Sequence, residues 1–307
     1  QKIKSGGGFS SGAEIGVTMA SAGVFTTGGG ESCRQYFFSD DDTYVVVPSG
    51  NELALGQLAE HPEYAPHPQN HPACGDSSCT KHGGSVTYDK SLTAIGGALS
   101  EGNYYLKHSV TATGDITISG EVNLCLNGRT LDLDGHHFIV NNGGSLTICD
   151  CGSGGTITGG LAQQGGAVLV DGGSLTLHSG SITGNTASGG TGPETSAGNR
   201  MGGGAVCVNG GTFTMTGGEI ANNTASTTVK NDGGGAVLLN SGSFTMSGGS
   251  ITGNSVSGHN NSTGGGVYVN GGAFTMTNGV ISNNSAPNGG GVTVFMGNSP
   301  ASSSFTL

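Results

Sequence analysis

The sequence predicts an all-β solenoid, a stack of similar turns that each hold three short strands. Closely similar units follow one another as GGAVCVNGGTFTMTGGEIANNTASTTVKND, GGAVLLNSGSFTMSGGSITGNSVSGHNNST and GGVYVNGGAFTMTNGVISNNSAPN. Each unit contains three runs in which apolar and polar residues alternate, and each run is closed by Gly or Asn-Gly. No unit has the apolar spacing of a helix. A unit of this kind buries its apolar face only when a neighbour stacks on it.

The register of the units can be compared residue by residue. The Gly-Gly that opens each unit lies at Gly165, Gly203, Gly234, Gly265 and Gly290. Because strand residues alternate between two faces, the apolar positions of each run are expected on one side and the Thr residues between them on the other. The second strands supply Leu175/Leu177, Phe213/Met215, Phe244/Met246 and Phe274/Met276, and the third strands supply Ile182, Ile220, Ile251 and Ile281.

An asparagine follows each third-strand Ile three residues later, at Asn185, Asn223, Asn254 and Asn284. We expect these side chains to point inward at a turn and to form a ladder, in which the amides bond one another and the backbone. A ligand contact is the less favoured interpretation of the same column.

Residues 1–60 are interpreted as an N-terminal Gly-rich β region. Ile15, Val17 and Met19 alternate with small or polar residues, and the run Tyr44–Val47 has the composition of a strand. A helical turn is expected at Glu52–Glu60.

Residues 61–100 are a Cys/His/Pro-rich connecting segment. His71, Cys74, Cys79 and His82 would supply two imidazoles and two thiolates, a tetrahedral zinc set that stabilises a segment without a core. A Cys74–Cys79 disulfide is the alternative, since an oxidising compartment favours it. Structural zinc is the only cofactor that the sequence suggests.

Residues 101–307 are assigned to the solenoid itself. Cys125 and Cys149 lie about one turn apart in this part, and Cys151 follows after Asp150. A disulfide from Cys125 to Cys149 or to Cys151 is therefore a candidate. Cys207 has no partner in this scheme. It lies between the inward-facing Val206 and Val208 of a first strand, so alternation places it on an outer face.

Composition and charge exclude several classes of protein. The chain has nine Lys and Arg in all and a formal net charge of −11, so it lacks the basic stripe of a nucleic-acid-binding protein. No apolar run is long enough for a transmembrane helix, and no signal peptide is present. The chain begins at Gln1, which suggests a processed form, and the low Lys content favours an exported protein.

An enzyme of the polysaccharide lyase or hydrolase kind would need paired carboxylates, or an acidic cluster with a base. The densest candidate is the group formed by Arg129, Asp132, Asp134, His136 and His137. A strand with solvated outer carboxylates explains the same residues, and we assign no catalytic residue.

Two further surfaces were considered for binding. The Thr-x-Thr-like pairs would form a flat lattice on successive turns, as in ice-binding solenoids, although Thr is also a common residue on a solvated strand face. These pairs are Thr214/Thr216, Thr245/Ser247 and Thr275/Thr277. The variable loops Ala187–Met201, Thr224–Asp232 and Ser255–Thr263 are the other candidate, because loops on a rigid scaffold often carry function.

The last unit lacks a third strand. Val292–Val294 matches a first strand and Ser304–Leu307 a second, after which the sequence ends. Truncation of a longer solenoid explains this. Alternatively, Gln1–Ser5 of another copy completes the turn, and a contact of this kind that does not close generates a filament.

The units resemble those of right-handed parallel β-helix repeat proteins of bacterial cell surfaces. The Gly-Gly-Ala-Val openings and Ile-x-x-Asn third strands are similar to the GGA(I/V) and FxxN repeats of polymorphic outer-membrane adhesins, with Ile in place of Phe. The stretch Leu124-Cys-Leu-Asn-Gly, followed by Leu146-Thr-Ile-Cys-Asp-Cys, resembles repeat proteins of gut Firmicutes. The resemblance covers roughly residues 101–307.

This resemblance implies a right-handed parallel β-helix displayed outside the cell, with a structural or adhesive role. The expected partners are further copies of the chain, assembled head to tail, or glycans or proteins of a host or cell surface. A polysaccharide-binding or polysaccharide-degrading protein is the alternative, and an ice-binding Thr lattice is the minor one.

Overall fold

The computed structural model describes residues 3–4, 15–17, 23–27, 33–34, 36–39, 43–61, 70–72, 85–189, 200–295 and 303–307. The chain packs as two units, Gln1–Pro68 and Gln69–Leu307. The described residues form an all-β structure with long parallel sheets, which confirms the all-β prediction.

The first unit contains small, separate sheets. Its strands are β1 (Ile3–Lys4), β2 (Ile15–Val17), β3 (Gly23–Val24), β4 (Thr26–Thr27), β5 (Phe37–Ser39), β6 (Tyr44–Ser49) and β7 (Glu52–Gln57). Strand β1 pairs with β4 and β2 with β5, both in parallel, whereas β3, β7 and β6 pair antiparallel. Their apolar side chains form a local core, in which the rings of Phe25 and Phe37 meet edge to face with centroids 5.5 Å apart.

The expected helical turn at Glu52–Glu60 is wrong, because β7 occupies most of this segment. Ser49 pairs with Glu52, so Gly50 and Asn51 form a two-residue hairpin loop, and Gly50 has a φ of 63°. A Gly-Asn pair between two apolar runs favours such a hairpin. The strand expected at Tyr44–Val47 is confirmed and extends to Ser49.

The second unit contains the remaining strands. They begin with β8 (Asn70–Pro72), β9 (Ser85–Thr87), β10 (Lys90–Leu92), β11 (Ile95–Leu99), β12 (Gly102–Leu106), β13 (Val110–Ile118), β14 (Glu121–Cys125), β15 (Thr130–Asp132), β16 (Phe138–Asn141), β17 (Ser145–Cys149), β18 (Thr156–Thr158), β19 (Leu161–Ala162), β20 (Val168–Asp171) and β21 (Ser174–Leu177). They continue with β22 (Ser181–Thr183), β23 (Thr186–Ser188), β24 (Val206–Met215), β25 (Glu219–Ala221), β26 (Thr224–Thr227), β27 (Val237–Met246), β28 (Ser250–Thr252), β29 (Ser255–Gly258), β30 (Val267–Val269), β31 (Ala273–Met276), β32 (Val280–Ser282), β33 (Val292–Val294) and β34 (Ser304–Thr306).

Strands β8 and β9 form an antiparallel hairpin, and the strands from β10 onward pair in parallel. The parallel strands fall into columns, in which each strand pairs with the equivalent strand of the next repeat. The first column runs β11, β13, β16, β20, β24, β27, β30 and β33, and the second runs β10, β12, β14, β17, β21, β24, β27, β31 and β34. Strands β24 and β27 serve both columns, with a register shift between them at the corner. The third column runs β13, β15, β18, β22, β25, β28 and β32.

The apolar positions stack in register, as the repeat pattern predicts. The second column aligns Val122, Leu146, Leu175, Phe213, Phe244, Phe274 and Phe305. The third column aligns Ile157, Ile182, Ile220, Ile251 and Ile281. With the first-column Val residues, these side chains form one continuous core, most of it fully buried.

The phenylalanines show how closely one repeat copies the next. Rings Phe213, Phe244 and Phe274 stack with centroids 4.6 and 4.5 Å apart and interplanar angles of 5°, and Phe305 continues the stack at 4.8 Å and 16°. Nearly parallel rings indicate little rotation between neighbouring strands. Untwisted sheets are unusual, and stacking of identical side chains is one way in which they are stabilised.

The asparagine ladder is confirmed. The Nδ2 of Asn185 donates to Oδ1 of Asn223 (3.0 Å), that of Asn223 to Oδ1 of Asn254 (2.9 Å), and that of Asn254 to Oδ1 of Asn284 (2.9 Å). Each Oδ1 also accepts the backbone N–H of the preceding asparagine, and each Nδ2 also bonds backbone carbonyls. Since Asn185, Asn223 and Asn254 are at most 1% exposed, these bonds satisfy amides that water does not reach.

A fourth short strand, which the three-strand pattern omits, follows the ladder. Strands β19, β23, β26 and β29 form a separate four-stranded parallel sheet. It aligns Ala187, Ala225 and Val256, which are buried. The sequence pattern did not predict this strand, because each copy has only one apolar residue between polar ones. These copies also lie at the start of the segments that were expected to be variable loops.

We expect Asn223→Ala to lower the free energy of unfolding by about 2–4 kcal/mol, since it leaves the buried backbone N–H of Asn185 without its acceptor and removes the Nδ2 donor to Oδ1 of Asn254. Urea denaturation followed by circular dichroism measures this. The neighbouring Asn222→Gly is the matched control, because Asn222 is exposed and has a φ of 55°, which glycine adopts freely. Equal effects of the two substitutions would contradict a role for the ladder in stability.

Candidate functional site

The outward side of the second column carries a continuous row of threonines. Thr147, Thr176, Thr214, Thr245, Thr275 and Thr306 pair in register on six successive strands. All are half-buried except Thr306, which is exposed. We call this row and its two flanking rows the hydroxyl face.

The flanking rows are also rich in hydroxyl groups. One row contains Ser145, Ser174, Thr212, Ser243, Ala273 and Ser304 in register. The other contains His178, Thr216, Ser247 and Thr277, and a ring nitrogen of His178 lies 2.6 Å from Oγ1 of Thr216. Neighbouring strands lie about 4.8 Å apart and alternate residues about 6.7 Å apart, so the face is a regular grid of uncharged polar groups.

The acidic group considered for catalysis has local structural contacts. Oδ1 of Asp132 accepts the backbone N–H of Asp134 at 3.0 Å, and Asp134 itself has a φ of 45°. A ring nitrogen of His136 lies 3.3 Å from Oδ1 of Asp115, and one of His137 lies 3.0 Å from the carbonyl oxygen of Gly165. Asp132 therefore stabilises the tight turn that follows β15.

The proposed zinc ligands are mostly beyond the described part of the chain. His71 lies in β8, whereas Cys74, Cys79 and His82 are outside the described residues. Within the described ranges no three His, Cys, Asp or Glu side chains are arranged to hold a metal ion. The zinc set and its disulfide alternative stay predictions.

Three cysteines meet at one corner of the second unit. Cys125 and Cys149 pair in register at the ends of β14 and β17, and Sγ of Cys151 lies 3.3 Å from Sγ of Cys125. Tyr88, which precedes β10, places its hydroxyl 3.3 Å from Sγ of Cys149. Burial raises the pKa of Tyr88, and its hydrogen bond with Cys149 contributes to the same shift.

Asp150 organises the turn between Cys149 and β18, a role that sequence reasoning missed. Its carboxylate accepts the backbone N–H of Gly128 (2.6 Å), Gly152 (3.3 Å) and Gly155 (2.9 Å). Gly128 belongs to the preceding repeat, so the Asp150 side chain joins two neighbouring repeats. An open groove of about 340 Å³ lies beside it and extends to Glu219.

The outward side of the first column is covered, contrary to the expectation for Cys207. Leu169, Cys207, Leu238 and Tyr268 align in register and form a second apolar cluster, separate from the core. Cys207, Leu238 and Tyr268 are fully buried. Alternation does direct Cys207 away from the core, but the face it joins is not exposed, and burial raises the pKa of its thiol.

A second amide ladder borders this covered cluster. Nδ2 of Asn209 donates to Oε1 of Gln164 (2.9 Å), that of Asn240 to Oδ1 of Asn209 (2.8 Å), and that of Asn270 to Oδ1 of Asn240 (3.0 Å). The carbonyl oxygen of Arg200 accepts hydrogen bonds from Gln164 and Asn240. The signal that could have revealed this ladder is the Asn that ends each first-strand run.

Asp232 anchors the same segment from the other side. Its carboxylate accepts the backbone N–H of Met201 (3.1 Å) and the hydroxyl of Thr227 (3.1 Å), and only 2% of the residue is exposed. Burial raises the pKa of Asp232 above its usual value. Burial likewise raises the pKa of Tyr268 to about 12. Together with the bonds of Arg200 to Asn240, these contacts hold Arg200 and Met201 beside the strands.

Comparison with protein-family models, with curated proteins and with solved structures gave no match to this chain. Across the described ranges, no helix is both long enough and apolar enough to cross a membrane. The functional assignment therefore depends on the chain's own geometry.

We expect the buried carboxyl of Asp232 to make stability fall as pH rises above the usual carboxyl pKa of 3.8. Its pKa is higher in the folded chain, so the folded state retains a proton that the unfolded state has released, and that advantage is lost as pH rises through the folded-state pKa. Asp232→Asn removes this dependence, so its stability relative to the wild type should increase as pH rises over this range.

Thermal unfolding at a series of pH values measures this difference. Asp171→Asn, at an exposed position at the end of β20, is the matched control. A wild-type stability that rises with pH relative to Asp232→Asn would show that attraction to Arg200 outweighs the cost of burial.

Proposed function

We propose that residues 101–307 form a right-handed parallel β-helix with one turn per repeat unit. We propose further that the protein is a secreted structural or adhesive element of a cell surface. The resemblance of its repeats to those of bacterial surface proteins supports both parts of this proposal. So does the low Lys content of the chain.

The observation that carries the proposal is the unbroken register of the second column. From Glu121 to Thr306 each strand pairs in parallel with the equivalent strand of the next repeat, and its inward side chains stack on the same or similar residues. Continuous stacking of this kind, with buried amides bonded along the same direction, makes a stiff scaffold. A stiff scaffold that presents repeated surfaces suits a structural or adhesive role.

Adhesion would use the surfaces that the scaffold presents. The hydroxyl face offers a grid of donors and acceptors suited to glycans or to polar protein surfaces. The segments Ala187–Met201, Thr224–Asp232 and Ser255–Thr263 begin in the fourth column and are the second candidate surface.

Assembly of copies head to tail is the structural form of the proposal. At the last described strands, apolar side chains remain in contact with solvent: Val280 is 54% exposed, Phe295 36% and Leu307 85%. Phe305 stacks on Phe274 and is only half-buried. A second copy that stacks there would bury this surface and continue the parallel columns.

We expect the purified full chain to form fibres in electron micrographs, with a repeat of about 4.8 Å along the fibre axis in diffraction. Phe305→Lys should abolish the fibres, because a charge at the stacking position repels the next copy and is costly to bury. The adjacent Thr306→Lys, on the hydroxyl face, should leave them intact. Monodisperse particles at all concentrations would overturn the assembly part of the proposal.

Binding to ice is the second candidate function, and the in-register threonine row specifically favours it. Six consecutive turns present Thr at the same position, and the small interplanar angles of the stacked phenylalanines indicate that the face is flat. A flat hydroxyl and methyl grid can match a regular crystal surface over many contacts at once.

If the hydroxyl face binds ice, the chain will show thermal hysteresis, and Thr245→Tyr will reduce it several-fold, because one bulky side chain separates the whole face from a flat crystal. Thr252→Tyr is the matched control, since Thr252 lies in the third column, outside the hydroxyl face. Absence of hysteresis and of ice shaping in the wild type would overturn this second function.

A further inference from the structure

The cysteine corner contains one pair of thiols that is arranged for oxidation. Cys125 ends β14, and Cys151 lies in the turn that follows β17, one repeat later. Their sulfur atoms are 3.3 Å apart, and Sγ of Cys151 also lies 3.7 Å from Oδ1 of Asn127. A disulfide requires about 2.05 Å between the sulfurs, so a small rotation of the side chains is sufficient.

The position of Cys151 does not depend on a mobile loop. Asp150, its neighbour, accepts three backbone N–H groups and donates its own to Oγ of Ser179 at 2.7 Å. On the other side, Gly152 packs against the preceding turn so closely that a Cβ at this position would lie 2.6 Å from the nitrogen of Gly128. Both neighbours therefore hold Cys151 beside Cys125.

The third thiol, Cys149, has a different environment. It is fully buried, and besides its contact with the hydroxyl of Tyr88, which is also fully buried, it hydrogen-bonds with Cys125. Cys151 is only half-buried, so reagents from solvent reach it first. The corner thus combines one partly exposed thiol, Cys151, with two fully buried thiols.

We propose that Cys125 and Cys151 are a redox modification site, at which a disulfide forms between two neighbouring turns while Cys149 stays a thiol. The oxidant is a small-molecule disulfide such as oxidised glutathione. The proposed disulfide partner of Cys125 is therefore Cys151 and not Cys149, although Cys149 is the residue that pairs in register with Cys125.

The reaction proceeds by two thiol–disulfide exchanges. The Cys151 thiolate attacks one sulfur of oxidised glutathione, which forms a mixed disulfide and releases one glutathione thiolate. The Cys125 thiolate then attacks the Cys151 sulfur, forms the Cys125–Cys151 bond and releases the second glutathione. Two cysteine thiols are oxidised, one glutathione disulfide is reduced to two thiols, and the two cysteine protons pass to the released thiolates.

The surrounding groups set the conditions for this reaction. The hydrogen bond with Cys125 raises the pKa of Cys151, burial raises it further, and the charge of Asp150 adds to the effect. Cys149 and Tyr88 also face the pair, and their own raised pKa values keep them protonated. Only a small fraction of the Cys151 thiol is therefore ionised at neutral pH. Exchange is therefore best followed at about pH 8.5, where the thiolate fraction is larger.

The test is peptide mapping of the full chain after oxidation by glutathione disulfide and alkylation of the remaining thiols. Trypsin separates residues 108–129, which contain Cys125, from residues 130–200, which contain Cys149 and Cys151. These two peptides should be joined in the wild type and in Cys149→Ser, and separate in Cys151→Ser. Cys207, in residues 201–230, is an internal control that stays alkylated and unlinked.

A second measurement is independent of the variants. Oxidised and reduced wild-type protein should differ in melting temperature by about 5 °C or more, because the bond closes a loop between turns and restricts the unfolded chain. The proposal is overturned if the peptides stay joined in Cys151→Ser and separate in Cys149→Ser, or if they never become joined in wild-type protein with native circular dichroism.

Discussion

Parallel pairing in register is the constraint on which the second unit depends. Each residue lies directly beside its equivalent in the next repeat, about 4.8 Å away. This arrangement therefore favours side chains that stack well on a copy of themselves. Phenylalanine, aliphatic residues, threonine and asparagine meet this condition, whereas like charges in the same position repel one another. This explains why only 9% of the residues are charged. It also explains why the basic residues beyond Lys107 are confined to Arg129, Arg200 and Lys230.

The same constraint separates the polar groups into two kinds. Inside, the asparagines of the third column bond one another and leave nothing for a ligand. Outside, the threonines and serines of the second column are half-buried or exposed, so solvent reaches this face. The outward side of the first column is different again, because Cys207, Leu238 and Tyr268 are buried there.

Periodicity predicted the repeating features that have a strong apolar pattern, and it missed the fourth column, the second amide ladder and the features that do not repeat. The strand columns, the phenylalanine and isoleucine rows and the asparagine ladder all follow from alternation at a constant register, so the sequence is sufficient to place them. The burial of Cys207 lies beside the contacts of Arg200 with Asn240 and of Met201 with Asp232, which join residues far apart in the sequence, so no local pattern indicates it. The hairpin at Glu52–Gln57 was missed because its apolar run was interpreted by composition, whereas the Gly50-Asn51 turn determines the geometry. The role of Asp150 arises from contacts to a neighbouring turn, and a single acidic residue in a Gly-rich stretch gives no hint of them.

The asparagine ladder has a direction: each of its three side-chain bonds runs from Nδ2 of one asparagine to Oδ1 of its C-terminal neighbour. Each of these asparagines can therefore donate to the next repeat and accept from the preceding one. Duplication or loss of a whole repeat leaves every asparagine of the ladder with a hydrogen-bond partner. Duplication or loss of part of a repeat leaves a buried amide without one. The ladder is therefore compatible with the gain or loss of complete repeats, and the length of the parallel columns can change in steps of one repeat.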